Sequence, residues 1–85
     1  MNRIIARVFK ESGIELSVLA KLFGVSRPTV YEWRKKGTCN AECEVIFMAL
    51  NEAIDARRLP LKGIPPKEKL SILRRITRHD EKGNN

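Results

Sequence analysis

The chain is poor in the residues from which most catalytic and metal sites are built. It has one histidine and two cysteines among 85 residues. No Ser/His/Asp or Cys/His arrangement can be assembled around His79, and no glycine-rich phosphate loop is present. Cys39 and Cys43 have no second cysteine pair or nearby histidine to complete a metal site. We therefore expect no enzyme activity, no cofactor, no metal and no small-molecule substrate.

Long hydrophobic runs are also missing. Arg3, Arg7 and Lys10 interrupt the apolar residues near the N-terminus, and no apolar stretch approaches the length of about 18 residues that a membrane span needs. These absences predict a cytoplasmic protein with no membrane partner. In the cytoplasm we expect Cys39 and Cys43 to be reduced and partly buried, with half of a zinc site shared across a dimer as the alternative.

Charge is abundant and unevenly distributed. Seventeen Lys and Arg residues against ten Asp and Glu residues give a net charge of +7. Residues 26–37 carry +3, residues 38–56 carry −4 and residues 57–85 carry +6. This segregation predicts a polarised surface, and its basic parts favour nucleic acid or an acidic protein as partner. A chain of this length forms one small domain with a single core.

Hydrophobic periodicity predicts an all-α fold, a compact bundle of about five short helices. A first helix over residues 2–12 ends at Gly13, and two further helices fit into residues 16–36. Residues 40–58 form a longer fourth helix. Residues 57–66 contain three prolines and a glycine, which predict a turn or short linker before a last helix over residues 67–79. Residues 1–79 are thus one domain, and residues 80–85 are expected to be a disordered tail.

Residues 16–36 have the spacing of two short helices that cross at a sharp angle. Ala20 is small where the two backbones would approach each other, and Gly24 can take the positive φ of the turn. Ser26 is a good N-cap for the second helix, whose inward side would carry Val30 and Trp33. The pattern predicts a helix-turn-helix. A generic helical hairpin without a nucleic-acid partner would not account for the cations that cluster here.

At these residues the sequence resembles the lambda Cro and phage-repressor superfamily of helix-turn-helix proteins. The matching positions are Ala20, the corner Phe23-Gly24-Val25, Ser26, Val30 and Trp33. The first helix of the motif starts with Glu15 and Leu16, where the family usually has a Ser/Thr cap followed by a phosphate-binding Gln. The resemblance implies a sequence-specific transcriptional regulator of phage or mobile-element type. Such a repressor binds a palindromic operator in double-stranded DNA as a homodimer.

Within this interpretation the outward side of the second motif helix would contact DNA. Arg27 can bond the edge of a guanine with two hydrogen bonds and is the best candidate for reading a base. The other candidate base-reading residues are Pro28, Tyr31 and Glu32. Phosphate contacts are expected from Ser26, Thr29, Arg34, Lys35 and Lys36, the first two helped by the free amides at the start of the helix.

The fourth and last helices have apolar surface from which a dimer interface could be built. The apolar arc of the fourth helix spans roughly 200°, about twice what a one-sided surface helix requires. The tentative interface residues are Phe47, Leu50, Ile54, Leu70, Leu73 and Ile76. The alternative is that the fourth helix is simply the central core helix.

The last helix also carries a basic stripe, formed by Lys67, Arg74 and Arg78. Three interpretations of this stripe stay open: a solvated face, a surface that binds phosphate, or a surface that pairs with the acidic face of a partner's fourth helix. We also expect the helix-turn-helix to fold without residues 67–85.

A second class of function remains open. The helix-turn-helix scaffold could serve a protein-interaction module, such as an antitoxin-like or adaptor protein, and an architectural or excisionase-like DNA binder is a variant of the first class. Salt dependence separates the two classes, because DNA binding weakens steeply as salt rises.

Overall fold

Five α-helices form the part of the chain that the computed structural model describes, residues 2–77. They are α1 (Asn2–Glu11), α2 (Leu16–Phe23), α3 (Arg27–Lys36), α4 (Ala41–Asp55) and α5 (Pro66–Thr77), and no strand occurs within this range. The predicted all-α bundle is confirmed. The predicted tail, residues 80–85, lies outside the described residues, as do Arg78 and His79. None of the five described helices combines the length and the apolar composition that crossing a membrane requires.

Local sequence signals account for most of the helix ends. Gly24 and Gly37 close α2 and α3 in the left-handed conformation, with φ of 73° and 70°. Side-chain oxygens of Ser26 and Asn40 cap the starts of α3 and α4 by accepting from Thr29 N and Cys43 N. The fourth helix is shorter than the predicted residues 40–58, because α4 ends at Asp55 and the next turn places Arg57 at a φ of 61°.

An aromatic cluster joins four of the helices. The ring of Phe47 on α4 has its centroid 5.7 Å from that of Phe9, 4.8 Å from that of Phe23 and 6.3 Å from that of Trp33. Phe23 and Trp33 also meet edge to face, 5.5 Å apart. Aromatic pairs at these separations add to the stability gained from burial alone. The cluster therefore fixes α3 against the rest of the bundle.

The structure corrects half of the predicted dimer interface. Phe47, Leu50 and Leu73 have no exposed surface within a single chain, so they cannot contact a second subunit. Most of the wide apolar arc of α4 is instead used internally, because α4 packs against both α1 and α5 while Phe47 reaches α2 and α3. The other three predicted residues, Ile54, Leu70 and Ile76, are half-buried.

The last helix belongs to the same core. It packs against both α2 and α4, and its Leu73 is fully buried. Lys69 is only 7% exposed as well. These contacts argue against the expectation that α2 and α3 fold without residues 67–85, because removing α5 would uncover apolar surface of α2.

Candidate nucleic-acid interface

The pair formed by α2 and α3 has the packing expected from residues 16–36. Ala20 is 5% exposed, Val30 is fully buried and Trp33 is 8% exposed, so all three lie on the inner side. Gly24 forms the corner, and a β-carbon there would meet no atom within 4 Å. The positive φ, rather than a steric contact, is thus the reason for glycine at this corner.

The candidate DNA-contacting residues lie on the side of α3 that faces away from this core. Eight of the nine are exposed, and Thr29 is half-buried. They are Ser26, Arg27, Pro28, Thr29, Tyr31, Glu32, Arg34, Lys35 and Lys36. The structure therefore presents all nine predicted residues on one helix and its cap, with both hydrophobic anchors on the opposite side. Their roles in DNA contact stay a prediction.

Two side-chain contacts organise this surface. The guanidinium of Arg34 lies over the ring of Tyr31, 5.5 Å from its centroid. The ammonium of Lys36 lies 3.4 Å from a carboxylate oxygen of Glu32, one turn earlier. A cation over an aromatic face is attractive, so the contact with Arg34 favours this position of the tyrosine ring. The Lys36 contact uses one oxygen of the Glu32 carboxylate, which leaves the other oxygen able to accept from a cytosine.

The start of α3 offers a phosphate fewer free amides than expected. Pro28 has no amide hydrogen, and the amide of Thr29 donates to Ser26, 3.1 Å to the carbonyl and 3.4 Å to the hydroxyl. The hydroxyl oxygens of Ser26 and Thr29 are also 3.0 Å apart and share a hydrogen bond. This end of α3 therefore depends on its hydroxyls and on Arg27 for any anion contact.

The start of α1 lies beside the end of α3, which the sequence did not predict. A β-carbon on Gly37 would be 3.4 Å from the side-chain oxygen of Asn2. Arg3, the exposed residue after Asn2, is thus brought to the end of α3 where Lys35 and Lys36 project. No local pattern reveals such a contact between segments so far apart in sequence.

The two cysteines are not activated. Burial raises the pKa of both the Cys39 and Cys43 thiols, and nearby acidic groups add to the effect. Cys43 is buried and Cys39 is half-buried. Within residues 2–77 no three His, Cys, Asp or Glu residues lie close enough together to hold a metal ion.

Comparisons with known proteins add no family to this description. No protein-family model matches the chain, and neither the curated proteins nor the solved structures contain a significant match.

Proposed function

We propose that this protein is a sequence-specific DNA-binding transcriptional regulator of the repressor type found in phages and mobile elements. It inserts α3 into the major groove and binds a palindromic operator as a homodimer. The observation that carries the proposal is the division of α3 into two sides. Val30 and Trp33 are buried against the core, while Arg27, Tyr31 and the cations of the last turn face solvent.

The outward residues divide into those that read bases and those that bind the backbone. Arg27, in the first turn of α3, has the reach and the two parallel donors to read a guanine. Tyr31 lies one turn further along, where its ring can cover a thymine methyl group. Arg34, Lys35 and Lys36 in the last turn are placed for phosphate. Phosphate contacts fix the register of the helix, and the base contacts then select the sequence.

A homodimer follows from the small size of this surface. One helix presents only a few base-reading side chains, and two copies related by a two-fold axis double the length of sequence read. Such a regulator acts by occupying promoter DNA, so the proposal needs no cofactor.

Selection of bound sites from random duplexes, followed by sequencing, tests the proposal. We expect an enriched inverted repeat whose half-sites lie about one helical turn apart. The matched control is a variant with Arg27, Tyr31 and Arg34 replaced by alanine, which removes exposed groups and spares the core. Wild-type protein that enriches no sequence beyond this control would contradict the proposal.

The exposed apolar residues of α4 support a second candidate, a protein-interaction module. Val45 is 51% exposed and Met48 is 46% exposed. An adaptor would bind its protein partner through such residues with little dependence on salt, whereas affinity for DNA falls steeply as phosphate-bound cations compete. Measuring binding over a range of salt concentrations separates the two candidates.

A further inference from the structure

We propose that the outward side of α5 is a second DNA-binding surface, which holds the phosphate backbone of a duplex and reads no sequence. The inference rests on the proposed function for its partner, DNA, and adds a surface on a different helix from α3. The last helix packs against α2 and α4, whereas α3 packs against α2 and α1. The two surfaces can therefore be altered separately.

The surface is a groove along one face of α5, with a volume of about 360 Å³. Two members of the predicted basic stripe, Lys67 and Arg74, line it together with Leu70, Ser71 and Arg75. All of these except the half-buried Leu70 are exposed. Steps of three, four and seven residues bring side chains to the same face of a helix. Three positive charges thus surround the hydroxyl of Ser71.

The charge of this groove is not compensated within the described residues. None of the ion pairs within residues 2–77 includes Lys67, Arg74 or Arg75. Glu68 is the acidic residue of α5, but it does not line the groove. It lies about 100° around the helix from Lys67 and about two turns before Arg75. The groove therefore presents a positive potential to solvent.

Helix stability explains only part of this arrangement. Arg74 and Arg75 lie in the last turn of α5, where a cation interacts favourably with the helix dipole. Lys67 lies in the first turn, where a cation is unfavourable for the same reason. Like charges on one face of a helix also repel each other. An anion in the groove offsets this repulsion.

The composition of the groove favours phosphate over a protein or a membrane. Its exposed side chains all carry hydrogen-bond donors, whereas the centre of a protein interface is apolar and poor in lysine. The large exposed hydrophobic residues within residues 2–77 lie on other helices, Tyr31 on α3 and Val45 and Met48 on α4. A helix that lies on a membrane needs an exposed apolar side, but Leu73 of α5 is fully buried.

The length of the groove favours a polymer over a single phosphate group. Lys67 and Arg74 are seven residues apart, which is about 10 Å along the helix axis. One DNA strand carries about three phosphates over this length. Guanidinium groups match the geometry of phosphate oxygens, and contacts to phosphate carry no sequence information directly. Three cations along the groove therefore fit the backbone of a duplex that lies along α5.

Binding of a labelled duplex of random sequence, followed by fluorescence anisotropy over a range of salt concentrations, tests the proposal. The triple variant Lys67→Gln, Arg74→Gln and Arg75→Gln removes the cations of the groove. Each phosphate contact contributes about 0.9 to the slope of log affinity against log salt, so we expect the slope to become shallower by about 2 to 3. The affinity at about 0.1 M salt should fall at least tenfold.

The matched control is the triple variant Lys10→Gln, Arg57→Gln and Arg58→Gln. These three cations are also exposed, but they lie outside α5, and Arg58 lines a groove together with the acidic Glu52. Each triple variant removes three cations and lowers the net charge from +7 to +4. A difference between the two variants therefore reflects the position of the cations and not the total charge.

A single position gives a second test. Ser71→Asp places a carboxylate among the three cations, and Ser71→Asn adds a side chain of the same shape without the charge. We expect Ser71→Asp to weaken binding of the random duplex and Ser71→Asn to bind it like wild type. Ser71 is exposed, and thermal melts followed by circular dichroism check that every variant folds.

Three results would overturn the proposal. They are an α5 triple variant that binds DNA like the control triple variant, a Ser71→Asp protein that binds DNA like Ser71→Asn, and an α5 triple variant that keeps its DNA affinity but loses self-association. The last would assign α5 to an acidic surface of a partner chain. The proposal for α3 fails differently, because it requires an enriched inverted repeat, whereas the α5 variants are compared on DNA of random sequence.

Discussion

The ammonium group of Lys69 on α5 lies 3.1 Å from a carboxylate oxygen of Glu15, the residue that precedes α2. The side chain of Lys69 is only 9% exposed, whereas that of Glu15 is 48% exposed. A buried cation is costly unless an opposite charge or a hydrogen bond accompanies it. Glu15 therefore makes the burial of Lys69 tolerable and ties the last helix to the start of the α2–α3 pair.

Removing the two partners of this ion pair should have unequal effects. Glu15→Ala leaves the buried ammonium without its acceptor, and we expect a loss of about 1 to 3 kcal/mol in the free energy of unfolding. Lys69→Met removes the charge itself and keeps an apolar chain of similar length, so its effect should stay within about 1 kcal/mol. Urea denaturation measures both, with exposed Lys67→Met as the control. Equal losses in the two variants would contradict the asymmetry.

Acid should weaken the wild-type protein through the same contact. In the folded state the pKa of the Glu15 carboxyl is lowered, first by a hydrogen bond from the backbone amide of Glu15 and then by the Lys69 ammonium. Because the folded pKa is below the unfolded one, the stabilisation is present above the unfolded value of about 4.3. It is lost as pH falls through the folded value. We expect the drop in melting temperature between pH 5 and pH 3 to be smaller in a Glu15→Gln variant, which cannot titrate.

Two glycines with nearly the same φ should respond differently to a methyl group. A β-carbon at Gly13 would lie 2.9 Å from the Pro60 side chain, whereas one at Gly24 would meet no atom within 4 Å. Gly24→Ala incurs only the strain of its positive φ, about 1 kcal/mol. Gly13→Ala adds a clash, so we expect a loss of about 2 to 4 kcal/mol. Chemical denaturation should therefore show a larger loss of unfolding free energy for Gly13→Ala than for Gly24→Ala. A larger loss for Gly24→Ala would contradict the close approach of Pro60 to Gly13.

The core side of α3 can be tested apart from its outward side. Trp33→Ala removes a large side chain from the aromatic cluster, and a loss of about 3 to 5 kcal/mol is expected. Such a loss would unfold much of the population of so small a domain. Tyr31→Ala changes an exposed ring and should keep the melting temperature within a few degrees while weakening DNA binding. If the Trp33→Ala protein stays folded and loses only its DNA affinity, the assignment of the core side and the outward side of α3 is wrong.

A base reader and a phosphate binder should differ in specificity. On a selected operator, Arg27→Ala should lose about 1 to 3 kcal/mol of binding free energy and its preference at one base pair per half-site. Lys35→Ala should weaken operator and random DNA about equally. Lys35 is a better control than Lys36, whose ammonium lies 3.4 Å from Glu32. Equal loss of operator and random binding in Arg27→Ala would rule out base reading by that residue.

The parts of this fold that were predictable are those specified by neighbours in sequence. Ser26 as a cap, Gly24 and Gly37 as helix ends, and Val30 with Trp33 as inward anchors depend on contacts within a few residues. Helical spacing then reveals which side of a helix is apolar. It does not reveal what covers that side. The apolar arc containing Phe47 and Leu50 was compatible with a partner subunit or with the core, and only the positions of α1 and α5 decide between them.

Contacts between distant segments were invisible for a related reason. Nothing near Glu15 indicates that a lysine from α5 will reach it, and nothing near Gly13 indicates the approach of Pro60. Surface exposure was underestimated as well, since Val45 was counted with the apolar arc although it is 51% exposed. Periodicity identifies the centre of a buried face more reliably than its edges.

The place of Trp33 also has a spectroscopic consequence. It is the only tryptophan in the chain, and it reaches Phe23 and Phe47 from the inner side of α3. Its fluorescence therefore reports the seating of α3 in the core. Loosening of that seating admits water to the indole and shifts its emission to longer wavelength. A ligand on the outward side leaves the indole surroundings intact and slows the tumbling of the whole molecule. The tryptophan fluorescence of one unlabelled sample thus separates two events. Loss of the fold changes the emission wavelength, and loss of the ligand changes the fluorescence anisotropy.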